Sequence, residues 1–381
     1  MSDDLFTQLG VTPVINATGH ITVLGGSILS PRVQAAMDAA NRTYAAMEEL
    51  QDKAGRAIAD MLGAEAAIVT SGAYAALAQG AAGIMTGNDP DKIARLPDTT
   101  GMKHEFLIQT CQRYHYDRAI TTTGAKLVEV GDDWGTTAAQ LAAAIGPHTA
   151  GILHFARGER REPTGRGVLK LTEVVPIAQV AGIPVLVDAA GEVYPLERLL
   201  WLPRSGAGLV AFGAKYLSSA NSTGILCGRA DLVQAARLNG FLSYETLDNH
   251  SIGRGYKLDR QEIVAVTVAL QEWLALDHEE RLQEQATRID QVTHALADLP
   301  HVTATNLFAE EGGAWMRLRV QFDSAVVGKS AADVVKTLRG GSPSIWVRPD
   351  QDGVIVEVHT LADGETAILA GALRAVLQPQ A

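Results

Sequence analysis

The sequence predicts an α/β fold, a mostly parallel sheet with helices on both faces, followed by a smaller α+β region. Three observations carry this. Short apolar runs of strand length alternate with helical stretches from residue 66 to residue 212. The alternation stops near residue 255, where long helical patterns precede a few strand-like runs. The chain has 381 residues and 47% hydrophobic content, whereas single cores stop growing at roughly 250–300 residues, so one large and one smaller domain are expected.

In chain order, residues 31–61 read as one amphipathic helix. Ser30 can cap it, Pro31 suits its first position, and Val33, Met37, Tyr44, Met47, Leu50, Ala54, Ile58 and Met61 recur at helical spacing up to Gly63. A strand follows at 66–70, then a Ser-Gly turn and an Ala-rich helix over 73–85. Further strands are expected at 106–109, 126–130, 150–155, 183–188 and 208–212, with a helix over 172–181. Helices over 259–278 and 279–299, strands at 315–321 and 354–359, and a helix at 330–339 complete the pattern. The expected division is an N-terminal segment 1–45 packing with the small domain, a large domain 46–255 and a small domain 256–381.

Composition narrows the partners. A formal net charge of −11 without a Lys/Arg run disfavours nucleic acid, which needs a basic footprint. Two cysteines, Cys111 and Cys227, with no C-x-x-C spacing, point away from a disulfide scaffold and from a metal site. The acidic start leads into no signal-like region, and no apolar stretch reaches the ~20 residues of a membrane span. A soluble cytoplasmic protein acting on a small molecule, with no membrane partner, is the expectation.

Three features fall at strand ends, where open α/β sheets bind ligands. Thr70-Ser71-Gly72-Ala73 is a glycine turn opening a helix; it suits a phosphate, and equally an ordinary N-cap. Asp188 ends an apolar strand, where a buried carboxylate needs a partner; a protonated ring nitrogen or a turn N–H would serve. Lys215 lies just beyond another apolar strand, as a Schiff-base lysine, a phosphate ligand or a solvated loop residue. Taken together, a phosphate turn, a carboxylate and a lysine in this order meet the three needs of pyridoxal 5'-phosphate (PLP): its phosphate, its pyridine nitrogen and its aldehyde.

At these residues the chain resembles the selenocysteine-synthase-like branch of fold-type I PLP enzymes, within it the D-glucosaminate-6-phosphate ammonia-lyase group. The resemblance runs from about residue 14 to residue 360 and rests on Val14-Ile15-Asn16-Ala17-Thr18-Gly19, Thr70-Ser71-Gly72-Ala73, Val187-Asp188-Ala189-Ala190, Gly213-Ala214-Lys215 and Thr223-Gly224-Ile225-Leu226-Cys227-Gly228-Arg229. It implies that Lys215 carries PLP, Asp188 meets the ring nitrogen, Ser71, Gly72, Ala73 and Thr223 help hold the cofactor, and His115 covers the ring face. It also implies that Arg348, with Asn16, holds the substrate, Arg348 taking a carboxylate. A cluster of Arg157, Arg160, Arg161 and Arg166 suits a second anionic group or a solvated loop equally.

The expected reaction is an α,β-elimination on a small hydroxylated or phosphorylated amino acid or amino-sugar acid. β-Replacement, racemisation and a PLP-binding regulatory role are the alternatives. Ser218-Ser219-Ala220-Asn221 departs from the Gly-Pro-Gln-like stretch usual in relatives, which bears on substrate and reaction. The chain reaches Val14-Ile15-Asn16 without the extra N-terminal tRNA-binding region of selenocysteine synthase, so tRNA is not an expected substrate. A homodimer or higher homo-oligomer is implied by the resemblance alone.

Overall fold

The computed structural model describes residues 5, 6, 8–160, 167–308 and 313–379. The chain forms two units, Met1–Ser27 with Leu276–Ala381, and Ile28–Ala275. These bounds differ from the expected divisions at 45/46 and 255/256. The reason is a set of contacts made by the helix Arg260–Ala275. It packs on the helices Pro31–Asn41 and Met47–Leu62. Ser30 donates to its Glu272, and Trp273 Nε1 donates to Val193 O at 2.8 Å.

Among the described residues there are thirteen strands, β1 to β13 in chain order. The first, β1 (Val14–Asn16), pairs in parallel with β11 (Ser344–Trp346). The Ile28–Ala275 unit holds β2 (Ala66–Thr70), β3 (Glu105–Gln109), β4 (Lys126–Val130), β5 (Thr149–Phe155), β6 (Val185–Asp188), β7 (Leu209–Gly213) and β8 (Gly224–Gly228). They form one sheet in the order β2-β8-β7-β6-β5-β3-β4. Pairing from β7 through β4 is parallel, while β8 runs antiparallel to both its neighbours. The carboxyl ends of β2, β3, β5, β6 and β7 therefore share one edge with the start of β8.

The expected single helix over 31–61 is two helices, Pro31–Asn41 and Met47–Leu62. Ser30 and Pro31 start the first as expected, the Ser30 hydroxyl accepting from Val33 N–H at 3.1 Å. Its end is set from outside: Arg260 Nε donates to Ala40 O at 2.9 Å, and Gln261 Nε2 to Asn41 Oδ1 at 2.9 Å. Arg260 thus takes a carbonyl left over at the helix C-terminus, and Gln261 holds the side chain of its last residue. The second helix buries Ala54, Ile58 and Leu62 on a different partner, strand β2.

Helix Gly72–Thr86 crosses the same sheet and buries Ala75, Ala76, Leu77, Ala78, Ala81 and Ala82. Its small residues let it approach closely. A Cβ at Gly83 would lie 2.5 Å from Ala236 N and 2.8 Å from Ala235 C, both on the helix Ala230–Leu238.

The other unit contains an antiparallel sheet of β9 (Val302–Asn306), β10 (Arg317–Phe322), β12 (Arg348–Asp350) and β13 (Gly353–Glu357), in the order β12-β13-β10-β9. Alternation on β10 turns Leu318, Val320 and Phe322 inward. They share a core with Val292 and Leu296 of the helix His278–Leu296 and with Leu369 and Leu373 of the helix Glu365–Leu377. Among the described residues, no helix is long and apolar enough to cross a membrane.

Replacing Gly83 by Val forces two helix backbones apart. The expected outcome is a loss of about 1–3 kcal/mol, the usual cost of overpacking, read as a lower denaturant midpoint at unchanged slope; an unchanged midpoint would refute the close approach.

Candidate active site

Asp188, Lys215, Ser71, Gly72, Ala73 and the 110–118 loop all follow the strand ends at one sheet edge. Asp188 closes β6 and is only 3% exposed. Its Oδ1 accepts from Ala190 N–H at 3.0 Å, and its Oδ2 accepts from the Tyr114 hydroxyl. Burial pushes the Asp188 carboxyl above its ordinary value; Tyr114 and the Ala190 N–H oppose this, and Glu192 adds to it. The groups that stabilise its charge are thus neutral donors, and no cation stands among them. A buried carboxylate of this kind suits a protonated ring nitrogen, which brings both a hydrogen bond and a countercharge.

Lys215 sits in the single 3-10 turn Ala214–Leu217 after β7. Gly213 N–H donates to Ala190 O at 2.9 Å, and Ala214 N–H to Thr223 O at 2.9 Å. These bonds tie the lysine's loop to the loop after Asp188 and to the start of β8. The amine lies 5.2 Å from the centroid of the Tyr216 ring. Burial pulls Lys215 below the ordinary lysine value, which favours the neutral amine that attacks a carbonyl.

The turn at Ser71 caps the helix Gly72–Thr86 without a side-chain capping bond from Ser71. The first N–H groups of a helix lack internal partners, and the helix dipole makes that end attractive to an anion. Strand β8 fixes the position of this turn. A Cβ at Gly224 would fall 2.5 Å from Gly72 C and 2.8 Å from Ala73 N.

The remaining candidates separate. His115 is exposed, with its ring tilted on that of Tyr116 at 3.9 Å. The buried Thr223 hydroxyl donates to Ala220 O at 2.6 Å, so it is engaged inside its own loop. Arg157 is exposed in the turn after β5, and Arg161 and Arg166 lie outside the described residues. In the other unit, both ends of the Asn16 amide serve a local turn, donating to Gly19 O at 3.0 Å and accepting from Thr18 N–H at 2.9 Å. Arg348 is ion-paired with Glu357. Glu357 is 7% exposed and also lies 3.6 Å from Arg317 Nε and from His359 Nδ1.

Several residues here escaped sequence reasoning. Tyr114 was visible only as a neighbour of His115, and its bond to Asp188 spans 74 positions. Glu159 is held at about 2: burial opposes ionisation, but His154, the Leu171 N–H and Arg198 outweigh it. His154 Nε2 lies 2.9 Å from its Oε1 and Arg198 Nη2 3.0 Å from its Oε2. An acidic residue pinned this way anchors the start of the Arg157 loop rather than neutralising it in solvent.

Gly224→Ala presses a methyl group into the Gly72–Ala73 backbone. Dialysis should strip PLP from this variant at least ~10-fold more readily than from the wild type, with the far-UV spectrum unchanged; equal retention would remove the turn from the phosphate site.

The L-seryl-tRNA selenium transferase (SelA) family model matches residues 14–362. The chain is 32% identical over 348 residues to a 5'-C-glycyluridine monooxygenase-decarboxylase from a Streptomyces species, across 90% of this chain and 84% of that protein. It is 29% identical over 385 residues to the D-glucosaminate-6-phosphate ammonia lyase of Salmonella typhimurium, across 99% of each. It is 25% identical over 407 residues to the L-seryl-tRNA(Sec) selenium transferase of Moorella thermoacetica, across 96% and 82%. Among solved structures, D-glucosaminate-6-phosphate ammonia-lyase superposes with a TM-score of 0.83 at 28% identity, covering 99% of both chains. Serine palmitoyltransferase of Sphingomonas wittichii shares the fold alone, with a TM-score of 0.58 at 12% identity over 95% of this chain and 87% of that one. With the carboxylate, lysine and glycine turn on one sheet edge, these likenesses agree: the chain belongs to the L-seryl-tRNA selenium transferase family of fold-type I enzymes, and PLP is its cofactor.

Proposed function

We propose that this enzyme is a lyase that removes ammonia, by α,β-elimination, from a small hydroxylated or phosphorylated amino acid or amino-sugar acid. The observation that carries this is the likeness to an ammonia lyase along 99% of both chains, in sequence and in structure. The net change is balanced: the substrate loses its α-proton and its β-hydroxyl as water, then takes up water and releases ammonia, leaving a 2-oxo acid.

In this reading Lys215 holds the cofactor covalently, Asp188 holds its ring nitrogen, Ser71, Gly72 and Ala73 hold its phosphate, Thr223 steadies that loop, and His115 covers its ring. When bound, PLP supplies an electron sink that stabilises negative charge at the substrate α-carbon. Lys215, exchanged for the substrate amine, is the base that takes the α-proton. Its depressed basicity brings it closer to the working pH, where general bases are most effective. Arg348 and Asn16 are assigned to the substrate. For Arg348 this means exchanging Glu357 for a substrate carboxylate, or sharing it. Arg157 and Arg166 are assigned to a further anionic group such as a phosphate ester, which a guanidinium fork suits.

A second reading is favoured by the 32% identical relative, a monooxygenase-decarboxylase. It would consume dioxygen and release carbon dioxide, where elimination does neither. The test is a panel of hydroxylated and phosphorylated amino acids assayed for 2-oxo acid, ammonia, oxygen uptake and carbon dioxide. The expected outcome is 2-oxo acid and ammonia in equal amounts without oxygen uptake, with Lys215→Ala inactive and lacking the visible cofactor band that borohydride bleaches in the wild type. Oxygen uptake with carbon dioxide release would replace the elimination reading by the oxidative one.

The enzyme is further read as a homodimer or larger. This rests on the family resemblance. Sedimentation should give at least twice the 40.4 kDa chain mass; a monomer at assay concentration would end this reading.

A further inference from the structure

Tyr114 has no part in the proton transfers above, yet it is held beside Asp188 by a stack and a hydrogen bond. Its loop leaves β3 and is tied down at several points. Gln112 exchanges two hydrogen bonds with the backbone of Phe155, each 3.2 Å. The Asp117 carboxylate accepts from Arg113 and, at 3.3 Å, from the Tyr114 N–H, while Arg113 also pairs with Glu129. The Tyr114 ring then lies flat on Phe155, centroids 4.1 Å apart at 4°. Phe155 is the register partner of Asp188 on the neighbouring strand. The stack therefore aims the phenol at Asp188 Oδ2, to which it donates. Packing alone would call for a ring there, and Phe would supply it. The hydroxyl is the feature that packing does not explain.

We propose that Tyr114 is a positioning residue that keeps Asp188 ionised and oriented toward the ring nitrogen of PLP, and so sets the protonation of that nitrogen. The inference rests on the assignment of Asp188 to the ring nitrogen. Burial and the neighbouring carboxylate hold the phenol in its protonated form, so it remains a donor throughout the working range. The groups facing Asp188 are Tyr114, the Ala190 N–H and Glu192; Asp117 acts in turn on Tyr114. Take the phenol away, and burial and Glu192 both drive Asp188 toward the neutral acid. The proton it then keeps is the one the ring nitrogen loses.

The test reads that proton directly, by nitrogen-15 NMR of holoenzyme reconstituted with PLP labelled at the ring nitrogen. Wild type, Tyr114→Phe, Phe155→Leu and Asp188→Asn are compared, each checked for folding by circular dichroism. Wild type is expected at the protonated position, Asp188→Asn at the unprotonated one, and Tyr114→Phe displaced toward Asp188→Asn. Losing one bond to a charged group corresponds to about a tenfold or greater change in the proton equilibrium. Phe155→Leu, which keeps the hydroxyl, should stay nearer the wild type than Tyr114→Phe does. A Tyr114→Phe signal at the wild-type position, with Asp188→Asn displaced, overturns the role of Tyr114 alone. Wild-type positions in both overturn the assignment of Asp188 as well. A Phe155→Leu displacement equal to that of Tyr114→Phe reduces Tyr114 to packing.

Discussion

A helix can lie against a sheet and a second helix at backbone distance only if the faces it turns toward them carry almost no side chain. Helix Gly72–Thr86 comes closest to that condition at Gly83, where it approaches the backbone of the helix Ala230–Leu238, with buried Ala and Gly along most of its length. Its N-terminal turn is pressed onto Gly224 at the start of β8. The turn proposed to hold the phosphate is thus positioned by core packing and not by a surface loop. The reversed direction of β8 completes the arrangement. It brings the beginning of one strand to the edge where its neighbours end, so the segment from Ala214 to Thr223 leaves β7 and returns to the same edge. Strand direction thus brings the Lys215 loop and the Ser71-Gly72-Ala73 turn to the same sheet edge.

Much of this was legible because the central strands are buried on both faces. β6 and β7 are buried at every position, so they appear in the sequence as plain apolar runs. The polar residue at the end of each run, Asp188 or Lys215, then stands out. Strands without that signature were missed. β8 begins and ends in Gly, β12 is Arg-Pro-Asp, and β9 is buried at none of its positions. The break in the 31–61 helix was illegible for another reason. The side chains that end the first half, Arg260 and Gln261, come from about 220 residues further along the chain.

The same limit applies at the site. Residue type and strand position reveal which groups stand at the edge, but not which of them are already engaged. Thr223 and Asn16 have the right chemistry, and local turns use it. Arg348 reads as a fork for a carboxylate and meets one in Glu357, nine positions away on the adjoining strand. Local periodicity contains no record of such pairings, because they depend on strand register.

Asp188 shows why the pairing matters more than the residue. A carboxylate excluded from water has two ways to avoid the cost of its charge: bind a proton or face a cation. Among the described residues its hydrogen-bond partners are two neutral donors, and Glu192 adds a repulsion. Burial favours the acid and the two donors favour the anion, and burial is the larger effect. A ring nitrogen that arrives with a proton resolves this by supplying the cation. The ionisation of Asp188 and the protonation of the cofactor are then one linked equilibrium, whose balance shifts with every donor on the carboxylate. An aspartate left in water would meet the ring nitrogen just as well in geometry, but its charge would be satisfied already. With Asp188 at the ring nitrogen, as proposed, the buried carboxylate would draw its countercharge from the cofactor.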